Sequence, residues 1–138
     1  MPVADTELIF ALNPRDPRHE SALRRIREVR DLAVPDVAIL EFQAVLRARG
    51  RPPSQVRVAL LALRQVLSQH GIREVSTLST ATLAIQCELE ERYGLSYFDS
   101  LLAASALALD GQIVSDDRAF DRVPGLKRIP LSRASEEG

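Results

Sequence analysis

The chain has 138 residues, enough for one domain that buries its own core without staples. Eighteen basic residues face nineteen acidic ones for a net charge of −1, which excludes the broad basic footprint of a protein that holds nucleic acid by charge alone. The single cysteine, Cys87, excludes an internal disulfide and fits a reducing cytoplasm, and no apolar run approaches the roughly 18 residues of a membrane span.

In chain order, residues 2–4 form a short apolar strand ending at Asp5-Thr6, and 7–12 a brief helix stopped by Asn13-Pro14. Asp16-Pro17 offers an N-cap acid and a proline at the first helical position, so the next helix starts there and runs to about Arg30. Ala33-Val34 is a second strand. Asp36 then caps a helix through about Ala48, broken by Gly50 and Pro52-Pro53. Residues 54–69 read as a strongly apolar helix closed by Gly71, and 72–75 as a third strand. A helix over 79–93 ends at Gly94 and puts Cys87, beside Leu83 and Ala84, in the core.

Ser96 caps the next helix, over 97–109, in which Asp99 is the only charge. After the Asp110-Gly111 turn, Ile113-Val114 is a strand too short and too apolar to lie anywhere but inside a sheet, and it ends at Asp116-Asp117. Residues 126–129 supply a last edge strand. Short strands alternating with helices predict an α/β fold, a three-layer α/β/α sandwich around a short-stranded, mainly parallel sheet. It fills one domain over 1–131, followed by a polar tail over 132–138.

The acids carry the chemistry. Glu41 shares its helical face with Val34, Val37, Ala38, Ala44, Val45 and Ala48, all apolar. A carboxylate there needs a cation, a metal or a crevice; Arg25 or Arg118 is the plain ion-pair alternative. Asp5 closes the first strand and, taken alone, is an N-cap. Asp99, three residues after Ser96, resembles the acid of a capping box. Asp116 and Asp117 suit the start of a one-turn helix. Together these residues converge beyond the carboxyl ends of a parallel sheet, where ligands bind. Carboxylates without phosphate-loop glycines and without a His or Cys cluster specify a hard divalent cation, Mg²⁺ or Mn²⁺, suited to phosphodiester hydrolysis.

Several blocks of sequence match a known family: Ala4-Asp5-Thr6; Val34-Pro35-Asp36 leading to Glu41; Leu95-Ser96-Tyr97-Phe98-Asp99 with Leu101, Ala103 and Ala104; and Ile113 through Phe120 followed by Val123-Pro124-Gly125-Leu126. Over nearly its whole length the chain resembles the PIN-domain nucleases, most of all the small VapC-like ribonucleases. That resemblance implies a metal-dependent endoribonuclease with a quartet of Asp5, Glu41, Asp99 and Asp117. Asp117 takes precedence over Asp116 because the family pattern is Ser/Thr-x-Asp-x-x-Phe; Asp116 is then an auxiliary acid, and Thr6 and Ser115 are supporting hydroxyls. It further implies an RNA substrate, a homodimer and a short antitoxin partner whose basic residue enters the acidic cleft. Glu7 departs from the family, which carries a small polar residue there.

The remaining signals are bland. Arg47, Arg49 and Arg51 offer weak candidates for RNA phosphates against a plain solvated helix end. His19 and His70 sit at helix ends and suit capping. The rival function is a protein of the same fold that binds RNA or a partner with little catalysis, for which Glu7 speaks. A phospho-acceptor receiver fits poorly, because it wants paired acids at the first strand and a lysine before the last helix.

Overall fold

The computed structural model describes residues 1–132, so the expected polar tail lies, beyond Ser132, outside the described residues. Apolar pairs and triplets too short to stand alone assemble into one sheet: β1 (Val3–Ala4), β2 (Ala33–Pro35), β3 (Arg73–Val75), β4 (Gln112–Val114) and β5 (Lys127–Ile129). Their order is β3-β2-β1-β4-β5 and every pairing is parallel. Val3, Ala4, Val34, Ile113 and Val114 have no exposed surface, as continuous apolar strands in a doubly covered sheet require.

The helices are α1 (Thr6–Ala11), α2 (His19–Glu28), α3 (Asp36–Ala48), α4 (Pro53–Gln69), α5 (Thr80–Tyr93) and α6 (Tyr97–Leu107), with a 3₁₀ turn over Arg118–Arg122. The result is the three-layer α/β/α architecture. Helix α6 is the central one: its residues from Ser100 to Ala106 are all buried, and it packs on α5 and α3. The chain runs from β1 outward through β2 to β3, then returns to lay β4 and β5 on the other side of β1. The carboxyl ends of β1 and β4 therefore flank the point where strand order reverses, the place such sheets offer to ligands.

Three local expectations are corrected. The second helix begins at His19 rather than at Asp16-Pro17. The Asp16 carboxylate instead accepts hydrogen bonds from the Arg18 amide and guanidinium, forming a tight turn ahead of the helix. Asp36 opens α3 but mainly serves another segment: it accepts from the Thr77 amide and hydroxyl, the Ser76 hydroxyl and the Leu78 amide. Those bonds hold its carboxyl below the usual range and tie the start of α3 to the loop after β3.

Cys87 is exposed, not in the core. The buried side of α5 is Thr82, Gln86 and Leu89. Its polar members are satisfied: Gln86 donates to the Ser100 hydroxyl on α6, and the Thr82 hydroxyl to the Thr77 carbonyl in the loop after β3. With the polar stripe inside, Leu83 and Ile85 are left outside along with Cys87. At the end of α5, Gly94 takes the left-handed conformation that stops the helix (φ +65°). Gly111 turns the chain into β4 at φ +77°, and a Cβ there would sit 3.0 Å from the Gly125 carbonyl oxygen.

Candidate active site at the carboxyl edge of the sheet

Asp5 follows β1 directly. Its backbone occupies the N-cap position of α1, yet its side chain makes no capping hydrogen bond. It turns inward, 5% exposed, and accepts from the Ser115 hydroxyl at 2.5 Å. Ser115 follows β4, the neighbouring strand, because Ala4 and Val114 lie in register. The same Ser115 oxygen accepts from the Asp117 amide at 3.0 Å. One buried hydroxyl thus couples the ends of two adjacent strands and fixes the backbone that carries Asp117. Asp117 in turn caps the 3₁₀ turn by accepting from the Ala119 amide.

Glu41 arrives from the middle of α3 and is half-buried. The buried stripe of that helix is Val37, Ala38, Phe42 and Leu46, so Glu41 stands at its margin. The Thr6 hydroxyl, at the first residue of α1, donates to Glu41 Oε1. No arginine contributes to its environment in the way the ion-pair alternative required. The charges acting on it are Asp99 and Glu7. Asp99 lies in the first turn of α6, its amide donating to the Ser96 hydroxyl.

These four acids share one field. Burial is the main cause that raises the Asp5 carboxyl to about 7, with Glu7, Asp99 and Glu41 adding to it against the Ser115 hydrogen bond. Glu41 and Asp99 are raised for the same first reason, Glu41 further by Asp99 and Asp99 further by Asp117. Among the described residues no cation acts appreciably on any of the three. A set of hard oxygen donors with excess negative charge and no internal counter-ion fits a divalent cation by donor chemistry. Among the described residues no three His, Cys, Asp or Glu side chains already stand as a metal cage, so a cation would have to draw the carboxylates together.

The other candidates fall elsewhere. The Asp116 carboxylate accepts from the Leu131 and Ser132 amides, which anchors the chain after β5. Arg47, Arg49 and Arg51 lie six or more residues beyond Glu41, about 9 Å or more along the helix axis. Arg49 stacks its guanidinium 5.1 Å from the centre of the Phe10 ring. With Arg51 it walls a groove of about 420 Å³ between α1, α3 and α4, lined also by Phe10, Phe42, Leu63 and Val66 and by none of the four carboxylates. The His19 ring pairs with the Ala11 carbonyl, and His70 closes α4. Two features escaped the sequence. The aromatic groove needs Phe10 and Phe42 from different helices, and Arg18, directly after Pro17, gave no signal of its place beside Glu7.

Comparisons with known proteins agree with this fold. The model of the family described as the PIN domain matches residues 3–126. Among solved structures, the chain is similar to VapBC2 from Rickettsia felis bound to a DNA fragment from their promoter, at 20% identity over 93% of this chain and 96% of that one, TM-score 0.66. VapC20 from Mycobacterium tuberculosis, a Sarcin-Ricin loop cleaving toxin, matches at 17% identity over 88% and 93%, TM-score 0.68. FitAcB from Neisseria gonorrhoeae matches at 18% identity over 95% and 98%, TM-score 0.68. Identities this low speak for a common fold. No match was found among curated proteins.

Proposed function

Because this chain belongs to the PIN domain family, we propose that it is a metal-dependent endoribonuclease whose site is Asp5, Glu41, Asp99 and Asp117. The observation that carries the proposal is the mutual repulsion of carboxylates at the strand-order reversal around a buried Asp5, raised to about 7 with no counter-ion among the described residues. In this reading Asp5, Asp99 and Asp117 hold Mg²⁺ or Mn²⁺, and Glu41 joins them or orients the attacking water, steadied by Thr6. A bound divalent cation supplies charge for the transferring phosphoryl group and lowers the pKa of its water. The protein's own part is to hold the carboxylates: Ser115 fixes Asp5 and the Asp117 backbone, Ser96 the turn that presents Asp99.

The biological setting follows from the same likeness. One structural neighbour is named as a toxin that cleaves the Sarcin-Ricin loop and another, from Klebsiella pneumoniae, as a toxin–antitoxin complex, and we assign this chain the toxin role in such a pair, acting in the cytoplasm. Among the described residues no helix is long and apolar enough to cross a membrane. The exposed Val58 and Leu61 of α4 and Leu83 and Ile85 of α5 offer a homodimer face. The groove beside Phe10 and Phe42 suits the apolar side chains of an antitoxin segment whose basic residue reaches the carboxylates.

The test is cleavage of a structured RNA by the purified protein. Discrete products in Mn²⁺ or Mg²⁺, absent in chelator, are expected. RNA binding without cleavage in either metal would favour the weakly catalytic RNA-binding alternative instead.

A further inference from the structure

Glu7 gives this site a fifth acid, and the fold supplies a cation for it. Glu7 sits in the first turn of α1, half-buried; burial raises its carboxyl, with the charges of Asp116 and Asp117 adding to the rise against Arg18 and a hydrogen bond from the Asp116 backbone, so it stands in the field of the same site. It raises Asp5 and Glu41 in return. Its Oε2 is buried without a hydrogen-bond partner. Its Oε1 lies 3.6 Å from Arg18 Nη1.

Arg18 is not a loose surface side chain. Asp16 takes its Nε at 3.1 Å, its Nη2 at 3.0 Å and its backbone amide at 2.8 Å. This two-pronged grip fixes the guanidinium plane and leaves Nη1 directed to Glu7. Among the described residues that act on Glu7, Arg18 is the one positive charge. A phosphodiester approaching five carboxylates is repelled; one rigid guanidinium at the rim offsets the acid that is not needed for the quartet.

We propose that Arg18, locked by Asp16, is a substrate-positioning residue that acts through Glu7, neutralising it so that an RNA phosphate can enter the carboxylate site. The inference rests on the ribonuclease reading above. It differs from direct phosphate capture, because the effect of Arg18 must vanish when Glu7 loses its charge.

The test is a double-mutant cycle of Arg18→Ala and Glu7→Gln, with Arg18→Lys as the charge-conserving control and thermal melting as the check on folding. In Mn²⁺ and low salt, Arg18→Ala is expected to raise KM about tenfold with kcat changed less than twofold. Added salt should shrink that rise, Arg18→Lys, which keeps the charge but loses the fork that Asp16 grips, should prevent only part of it, and adding Glu7→Gln to Arg18→Ala should bring KM back to within about threefold of wild type. An unchanged KM overturns the inference, as does an Arg18→Ala penalty that is just as large in the Glu7→Gln background. Should the wild type cleave no RNA, the ribonuclease reading fails, and the same cycle is run on binding of a fluorescent single-stranded RNA by anisotropy. Weaker binding by Arg18→Ala that Glu7→Gln restores then supports the inference, and equal binding by all variants overturns it.

Discussion

Asp5→Asn is expected to make the metal-free protein more stable at pH 8 while leaving its stability at pH 4 nearly unchanged. Burial raises the folded-state pKa of Asp5 from the ordinary 3.8 to about 7. A raised pKa means the fold favours the protonated acid, so the stability it contributes is fully present below pH 4. It is lost as the pH rises through 7, where the fold must carry an uncompensated charge. The separation of the two values sets an upper bound of roughly 4 kcal/mol. Asparagine stays neutral at every pH, and its amide oxygen can still accept from Ser115. Urea unfolding in chelator at pH 4, 6 and 8 measures this: the wild type should lose on the order of 2–4 kcal/mol more than the variant across the range. Parallel pH profiles would mean that Asp5 is not the strained acid of the site.

The second large effect concerns Asp99. Asp99→Asn should lower metal-dependent RNA cleavage by at least about a hundredfold, because a neutral amide is a poor ligand for a hard cation. Folding should survive, since the amide of residue 99 still donates to Ser96 and α6 keeps its cap. Removing a charge that raises Asp5 and Glu41 should if anything help the metal-free fold. Unfolding curves run beside the cleavage assay separate lost chemistry from lost structure. Cleavage at the wild-type rate by a folded Asp99→Asn protein would remove Asp99 from the site.

Much of this was legible in the sequence. Strand and helix order, the parallel sheet and the convergence of acids at its carboxyl edge follow from apolar runs of two or three residues separated by capped helices. Glu41 stood out because a charge interrupts an otherwise apolar helical face. What escaped depended on partners distant in the chain. Asp36 looked like a helix cap because its bonds to Ser76, Thr77 and Leu78 span about forty positions. Asp5 looked like an N-cap for the same reason: its true partner, Ser115, is 110 positions away. Cys87 was misplaced because apolar neighbours on α5 suggested an inward face, whereas the inward side of α5 is largely polar and satisfied by Ser100 of α6 and by the Thr77 carbonyl. Asp16-Pro17 carried a sound start signal that Arg18 outcompeted by offering the carboxylate a guanidinium as well as an amide.

The carboxylates at this sheet edge are proposed to form one cation site. A calorimetric titration of Mn²⁺ into the chelator-stripped protein at pH 6.5, in two buffers of different ionisation enthalpy, addresses it most directly. Because Asp5 is largely protonated there, binding should release protons and give heats that differ between the buffers. Asp5→Asn should bind more weakly, with less proton release. No Mn²⁺ binding by the wild type, or binding that Asp5→Asn and Asp99→Asn leave unchanged, would contradict the site as described.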